Sequence, residues 1–218
     1  MAEAAPAATA VTIIAVDGPA ASGKGTLARR LAEHFGLKHL DTGGLSRAVA
    51  VCVLRQGGDP TDESAGEQAA LNLEDQDRNA PNLRAEEVGQ AASIVSAHPK
   101  VRAALLAYQR KFAGAPPGAV LDGRDIGTVV CPEADGKIYL DASLVARAKR
   151  RVKELRLRGV ESIESRVLQE MQDRDARDSG RAVAPLKAAH DALKIDTTGL
   201  SPDEVFDRAL SYLAARLD

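Results

Sequence analysis

Hydrophobic residues along this chain follow two rhythms in alternation. Val11–Val16 is a short apolar run of the kind that forms a buried strand, and Leu27, Leu31 and Phe35 then recur at the spacing of one helix face. Leu37–Leu40 predicts a second short strand. Asp41-Thr-Gly-Gly44 follows as a turn feeding a helix to about Leu54, which Gln56-Gly-Gly-Asp-Pro60 stops. Residues 61 to about 84 are polar and interrupted by Asn79, Pro81 and Asn82, so they read as the start of an insertion with little core of its own. Helical spacing returns from about Glu86 to Ala97 and, after Pro99, from Val101 to about Phe112. Ala119–Leu121 and Lys137–Leu140 are the third and fourth strands. Asp141 and Ser143 can cap a helix reaching about Arg158, where Gly159 ends it. Ser162 begins another helix, with a charged loop expected over Asp175–Arg181. Ala192–Ile195 is the fifth strand, and the capping box Ser201-Pro-Asp-Glu204 launches the last helix. Strands alternating with helices predict an α/β fold with a parallel, doubly wound sheet, whose ligands bind at the carboxyl ends of its strands.

The first strand delivers Asp17-Gly-Pro-Ala-Ala-Ser-Gly-Lys-Gly-Thr26, in which Gly18, Gly23 and Lys24 fit the phosphate-loop spacing G-x-x-x-x-G-K. Polyphosphate needs many converging donors. Backbone N–H groups from Gly18 and Ala20 to Gly25 can approach it along a loop kept open by its glycines, and the following helix adds its free amides and positive dipole end. Within this loop, Pro19, Ala20, Ala21 and Ser22 are expected to wrap the phosphates. Lys24 supplies a point charge to the β- and γ-phosphates, and Thr26 a hydroxyl near Mg²⁺. The hydroxyl residue stands one place later than in the commonest form, and Gly-Lys-Gly-Thr resembles the loop of nucleoside monophosphate kinases.

Other candidates lie where strands end. In Asp122-Gly-Arg-Asp125, Asp122 can hold Mg²⁺ through water and Arg124 can clamp phosphate, although an exposed turn would read the same way. Thr42 and Arg47 suit the phosphate of a second nucleotide, or else belong to a capped helix with an exposed arginine. Ser93 and Arg102 flank the Pro99 break, which can turn both towards one pocket; taken alone they resemble ordinary helix surface. Residues 147–181 are dense in arginine with interleaved acids. Such a run is either a solvated, salt-bridged face or a lid bringing Arg174 and Arg181 over a phosphate.

Composition narrows the function classes. At 218 residues the chain suits one α/β domain with an insertion or two. A formal charge of −2 and 3% aromatic residues argue against a nucleic-acid partner. No apolar run approaches the ~20 residues of a membrane span. Met1–Ala10 is Ala-rich without a basic region, so a flexible tail and a cytoplasmic location are expected. Cys52 and Cys131 show no metal spacing and are expected to be buried thiols. His34, His39, His98 and His190 form no ligand pair and are expected at the surface or its boundary.

From Thr12 onward the chain resembles the bacterial cytidylate kinases. The resemblance rests on the phosphate loop, Leu40-Asp-Thr-Gly-Gly44 with Arg47, and Ala91-Ala-Ser93 through Pro99-Lys-Val-Arg102. It continues in Leu121–Val130, Ile138-Tyr-Leu-Asp-Ala-Ser143 and Arg174–Leu186. It implies a P-loop kinase core with a five-stranded parallel sheet, at residues 11–58 and 119–218, a lid at about 150–185 and a CMP-binding insertion at 59–118. It implies ATP and Mg²⁺ on Gly18–Thr26 with Asp122, and CMP or dCMP as acceptor, in a monomer without nucleic-acid or membrane partners. Thr42, Arg47 and Arg124 would hold the acceptor phosphate, and Ser93, Arg102 and Asp125 would read cytosine. Arg174 and Asp178 would contact the sugar, with Arg181 reaching the phosphates. Catalysis would fall to Lys24, Arg124, Arg181 and Asp122. Two features depart from the family pattern. Ser46 stands where the family usually has Tyr, and the stretch between Gly58 and Ser93 is shorter than in many relatives. Another small-molecule kinase, or a nucleotide switch without turnover, are the alternative readings.

Overall fold

The computed structural model describes residues 11–217, so the expected tail over residues 1–10 lies outside the described residues. Five strands, β1 (Thr12–Asp17), β2 (Lys38–Asp41), β3 (Gly118–Gly123), β4 (Gly136–Asp141) and β5 (Leu193–Asp196), form one sheet in the order β2-β3-β1-β4-β5. Every pairing is parallel. All carboxyl ends therefore lie along one edge, where Asp17, Asp41 and Asp122 stand on three adjacent strands. The register aligns Asp41 with Asp122 and Asp17 with Gly123.

Side-chain alternation explains why both faces are covered. Ile14 and Val16 of β1 and Val120 of β3 point to one face, where α1 (Lys24–Phe35) and α9 (Pro202–Leu217) bring Leu31 and Leu213. Ala15, Ala119 and Leu121 point to the other. There α2 (Thr42–Arg55) packs with α3 (Glu63–Leu71), α5 (Glu86–Val95) and α6 (Pro99–Ala113); the short α4 (Asp75–Arg78) lies between α3 and α5. Ile14, Leu31, Ile138, Leu140 and Leu213 are almost completely buried, each worth roughly 1.5–3 kcal/mol of transfer free energy. A sheet buried on both faces is the usual setting for all-parallel pairing.

Three expectations need correction. Residues 61–84 contain α3, whose Ala69 and Ala70 are buried in the core. Asp62 starts this helix by accepting hydrogen bonds from the amides of Ser64 (2.8 Å) and Ala65 (3.3 Å). Gly66 lets α3 approach α6, because a Cβ there would lie 2.9 Å from Val101. Asp175–Arg181 is for the most part not a loop: α8 (Glu164–Ser179) continues through Arg174 and Asp178. The expected turn over Asp41–Gly44 is largely helix already: Thr42 opens α2, with Asp41 as its N-cap, accepting from Gly44 N at 2.8 Å.

Helix α7 (Leu144–Leu157) and α8 form an antiparallel hairpin over the carboxyl edge, with its own small apolar seam of Ala148, Val152, Leu155, Val167 and Met171. Towards α5 and the α5–α6 connection its contacts are polar. Arg151 pairs with Glu86 at 2.5 Å, Arg177 donates to Ser93 Oγ and Gln90 Oε1 at 3.3 Å each, and Arg181 donates to Ser96 Oγ at 2.8 Å. Partly exposed ion pairs of this kind contribute about 0–1 kcal/mol. Few apolar contacts cross this junction, so it should open more readily than the sheet core. Glu86→Ala is expected to speed amide exchange in residues 144–179 by about two- to fivefold, equivalent to about 0.5–1 kcal/mol. Exchange within the five strands should stay unchanged, and uniform acceleration through the whole chain would contradict this junction.

Candidate active site

The phosphate loop is shaped by what surrounds it. Gly18 has φ +147°, and a Cβ on it would lie 2.0 Å from the carbonyl oxygen of Leu140 in β4, so only glycine fits between the strands. Gly23, at φ +98°, is the N-cap of α1 and offers no capping side chain, so the amides of Lys24 and Gly25 go uncapped while that of Thr26 turns back to Gly23 O at 3.1 Å. From behind, arginines of α7 hold outward-facing carbonyls: Arg147 donates to Ala20 O at 3.3 Å and Arg150 to Ala21 O at 3.5 Å. Thr197 Oγ1 donates to Ser22 O at 3.1 Å. With these carbonyls turned outward, the loop is braced from its outer side.

In front of the loop lies a cavity of about 340 Å³. Lys24, Thr26, Arg47, Asp122, Arg124 and Arg174 line it, together with Arg29, Arg84, Arg151 and Arg158. Lys24 is 7% exposed, and its ammonium donates to Pro19 O at 2.7 Å. Burial pulls its pKa down to about 7, and Arg124 and Arg174 push the same way while Asp122 and Asp17 oppose. Arg174 is held down to about 10, first by burial and then by Arg124; its Nε is buried without a hydrogen-bond partner. Cations held together in this way, with their charge disfavoured, make a strong site for an anion.

Acidic groups set the positions of these cations. Asp178, 1% exposed, accepts from Arg124 Nε at 2.7 Å and Arg181 Nη2 at 2.6 Å. Burial alone would raise its pKa, but Arg124, Arg181 and Arg174 together carry it below the usual carboxylate value. Asp41 fixes Arg47 at 2.7 Å. Asp122 receives His39 Nε2 at 2.7 Å on Oδ1, while Oδ2 faces the loop near Gly25. Asp17 is buried at the end of β1. Burial raises its carboxyl to about 7, against the hydrogen bonds from the amides of Gly127 and Ile126 and the charge of Lys24.

A second cavity, of about 200 Å³, is lined by Arg102, Asp125, Ser96 and Gln109 among apolar walls that include Leu105 and Val129. Asp125 and Arg102 form a direct charge-assisted hydrogen bond. Burial pushes the Asp125 carboxyl up, with Arg102 and Arg181 opposing. Ser46 lines this cavity too, so its small side chain leaves room in the wall.

The anticipated residues are thus brought to one sheet edge, with different surroundings. Gly23, Lys24, Gly25, Thr26, Arg47, Asp122, Arg124 and Arg174 face the first cavity, and Arg102 and Asp125 the second. Ser93, 1% exposed, is reached by Arg177, while Asp178 and Arg181 stand behind Arg124. The hydroxyl proton of Thr42 is given to Asp122 O at 2.7 Å, so that residue ties the ends of β2 and β3 rather than facing a cavity. His39, Arg29 and Arg84 were not anticipated, and Arg151, Arg158 and Arg177 only as members of the arginine-dense stretch. A signal existed for His39, since strand alternation puts it on the same side as Asp41; the hairpin's arginines depend on how it packs. Cys52 and Cys131 are buried thiols, pushed up by burial to about 11, and are unreactive at neutral pH.

Comparison with known proteins agrees with this geometry. The chain is similar to a solved gluconokinase from Sinorhizobium meliloti, with a TM-score of 0.50 at 17% identity over 94% of this chain and 92% of that one. It is similar to an uncharacterized protein from Eubacterium ventriosum with a TM-score of 0.56 at 16% identity, over 95% and 100%. Both likenesses concern the fold. In sequence, the chain is 57% identical to a cytidylate kinase from Nitrobacter winogradskyi, covering 92% of this chain and 95% of that protein. It is 53% identical to one from Paramagnetospirillum magneticum, covering 94% and 99%. The family model described as cytidylate kinase matches residues 14–215. With the loop, the Asp122–Asp125 turn and the arginine-rich hairpin all inside that match, the chain belongs to the cytidylate kinase family.

Proposed function

We propose that this protein transfers the γ-phosphoryl group of ATP to CMP, giving ADP and CDP. The observation that carries the proposal is the gathering of Lys24 and Arg174 in one cavity, where burial disfavours their charge, beside the buried Asp125–Arg102 pair in the next. The first suits phosphates. The second suits a base that offers an amine donor and ring acceptors.

In this reading the loop from Gly18 to Thr26 binds the ATP phosphates through backbone amides. Arg47 and Arg124 hold the CMP phosphate, helped by Arg181 and by the sugar contacts of Arg174 and Asp178. Helices α3–α6 are the acceptor-binding insertion, and the α7–α8 hairpin is the lid. Thr26 and Asp122 fit Mg²⁺. Kinase magnesium needs one or two carboxylate or hydroxyl ligands besides phosphate and water, and Oδ2 of Asp122 is turned to the loop. When bound, the ion would neutralise charge on the phosphates. An oxygen of the CMP phosphate attacks the γ-phosphorus in line as the bridging bond to the β-phosphate breaks and ADP leaves. The attacking oxygen is already anionic, so no general base is required. Lys24 and the arginines stabilise charge spread over the transferring group, and closure of the hairpin excludes water that would otherwise accept it.

Proton linkage gives one test. An empty site holding Lys24 near 7 leaves it mostly neutral at pH 8, and an arriving phosphate raises its pKa again. ATP binding at pH 8 should therefore take up protons, approaching about one per site. Calorimetric titration in two buffers of different ionisation enthalpy measures that number. Lys24→Ala should abolish the uptake, and wild-type binding heats that ignore the buffer would contradict the role of Lys24.

Base choice gives another. Cytosine presents its N4 amine to a carboxylate and its N3 and O2 to a guanidinium, whereas uracil reverses the N4 and N3 positions. Each mismatch left buried costs about 1–3 kcal/mol. Asp125→Ala is expected to narrow the CMP-over-UMP ratio of kcat/KM by ~tenfold or more, at ~1.4 kcal/mol per decade, with little change in KM for ATP. An equal fall for both nucleotides would remove Asp125 from base recognition.

A further inference from the structure

We infer that Asp17 is a positioning residue for the acceptor base: its carboxylate ties the end of the phosphate-loop strand to the backbone that carries Asp125. The inference rests on the proposed base-reading role of Asp125. Asp17 ends β1 and is 4% exposed. Its Oδ1 accepts the amide of Ile126 and its Oδ2 the amide of Gly127, both at 2.7 Å. These are the two residues immediately after Asp125.

The side chains of that segment are well held, Ile126 and Val130 in the core and Arg124 and Asp125 in ion pairs with Asp178 and Arg102, so what remains to be fixed is its backbone. β3 ends at Gly123, so residues 124–130 have left the sheet and close on themselves as a π-helical turn over Ile126–Val130. The amides of Val129 and Val130 return to Asp125 O at 2.8 and 3.2 Å, and Arg110 holds the carbonyls of Val130 and Val129 at 3.0 and 2.9 Å at the far end. At the near end, Asp17 takes both successive amides. Gly127 permits the approach, since a Cβ there would lie 3.4 Å from Asp17 Oδ2 and 3.3 Å from Lys137 Cδ. The ionised carboxyl suits this pair because each of its oxygens is an acceptor, and the two amides favour that form against the burial that opposes it. The amide of an asparagine would set its own N–H against one backbone N–H and leave both unpaired. Donor loop and acceptor-reading turn thus share one buried anchor. A small displacement of the turn would move Asp125 and Arg124 together, and geometry at this scale matters for transfer.

The test compares the full chain with Asp17→Asn, Asp17→Ala and Gly127→Ala. Steady-state kinetics with ATP, CMP and UMP are combined with residue-resolved amide exchange. Asp17→Asn is nearly isosteric, so a side chain that merely filled space would tolerate it. The expected result is instead a rise of ~tenfold or more in KM for CMP and a narrower CMP-over-UMP ratio, with KM for ATP within about threefold of wild type. Exchange at Ile126 and Gly127 should speed while β3 stays protected. Asp17→Asn with wild-type KM for CMP, or with both KM values raised equally, overturns the inference. Should both Asp17 variants fail to fold, Gly127→Ala crowds the same contact from the other side. A rise in KM for CMP of about threefold, without one for ATP, then supports the anchor, and an unchanged KM overturns it. If the wild-type chain does not discriminate CMP from UMP, the base-reading role of Asp125 fails by itself. Exchange at Ile126 and Gly127 then decides: acceleration in the variants supports the anchor, and unchanged rates overturn it.

Discussion

Crowding of buried charge at the carboxyl edge of the sheet is the constraint on which this structure depends. Lys24, Arg124, Arg174 and Arg181 meet there in a region where burial disfavours charge, and Asp178 reaches two of them directly. A protein selected for stability alone would fill such a space with apolar side chains. Here Asp178 keeps Arg124 charged, whereas burial leaves the charge of Lys24 and Arg174 disfavoured. In the proposed reaction, bound phosphate supplies what is missing, so the same groups that burden the empty protein would stabilise a transferring phosphoryl group.

The parallel sheet makes this crowding possible. Because every strand runs the same way, each carboxyl end delivers its next residues to the same edge, where Asp17 and Asp41 end β1 and β2 and Asp122 stands one place before the end of β3. Those carboxylates divide the work. Asp41 caps α2 and directs Arg47; Asp122 is oriented by His39; Asp17 grips the turn that follows β3. The arginine-rich hairpin then closes the edge with polar contacts, Arg151 to Glu86 among them, in place of a wide apolar interface. Closure held by such pairs is reversible, as entry and exit of nucleotides demand.

Much of this was legible in the chain because strand and phosphate loop signal locally. Val11–Val16, the spacing from Gly18 to Lys24 and the turn after Leu121 identify elements whose meaning does not depend on distant residues. Helix α3 escaped because its buried positions are alanines, which form helix well but barely mark an apolar face. The end of α8 escaped because its charges look like loop composition, whereas Asp178 is buried against Arg124 from the turn after β3 and Arg181 just beyond the helix. His39 and Arg151 acquire their partners only through tertiary packing, 83 and 65 residues away in sequence. Asp17 stood inside the loop pattern, yet its bonds to Ile126 and Gly127 have no local signature.

The account stands or falls on what the second cavity accepts. The most direct measurement is ADP release with ATP and each of CMP, UMP, AMP and GMP in turn, with the phosphorylated product identified. CDP formation is expected, with kcat/KM for CMP exceeding that for every other monophosphate by ~tenfold or more. Equal rates with all four, or ADP release that does not depend on any of them, would contradict it.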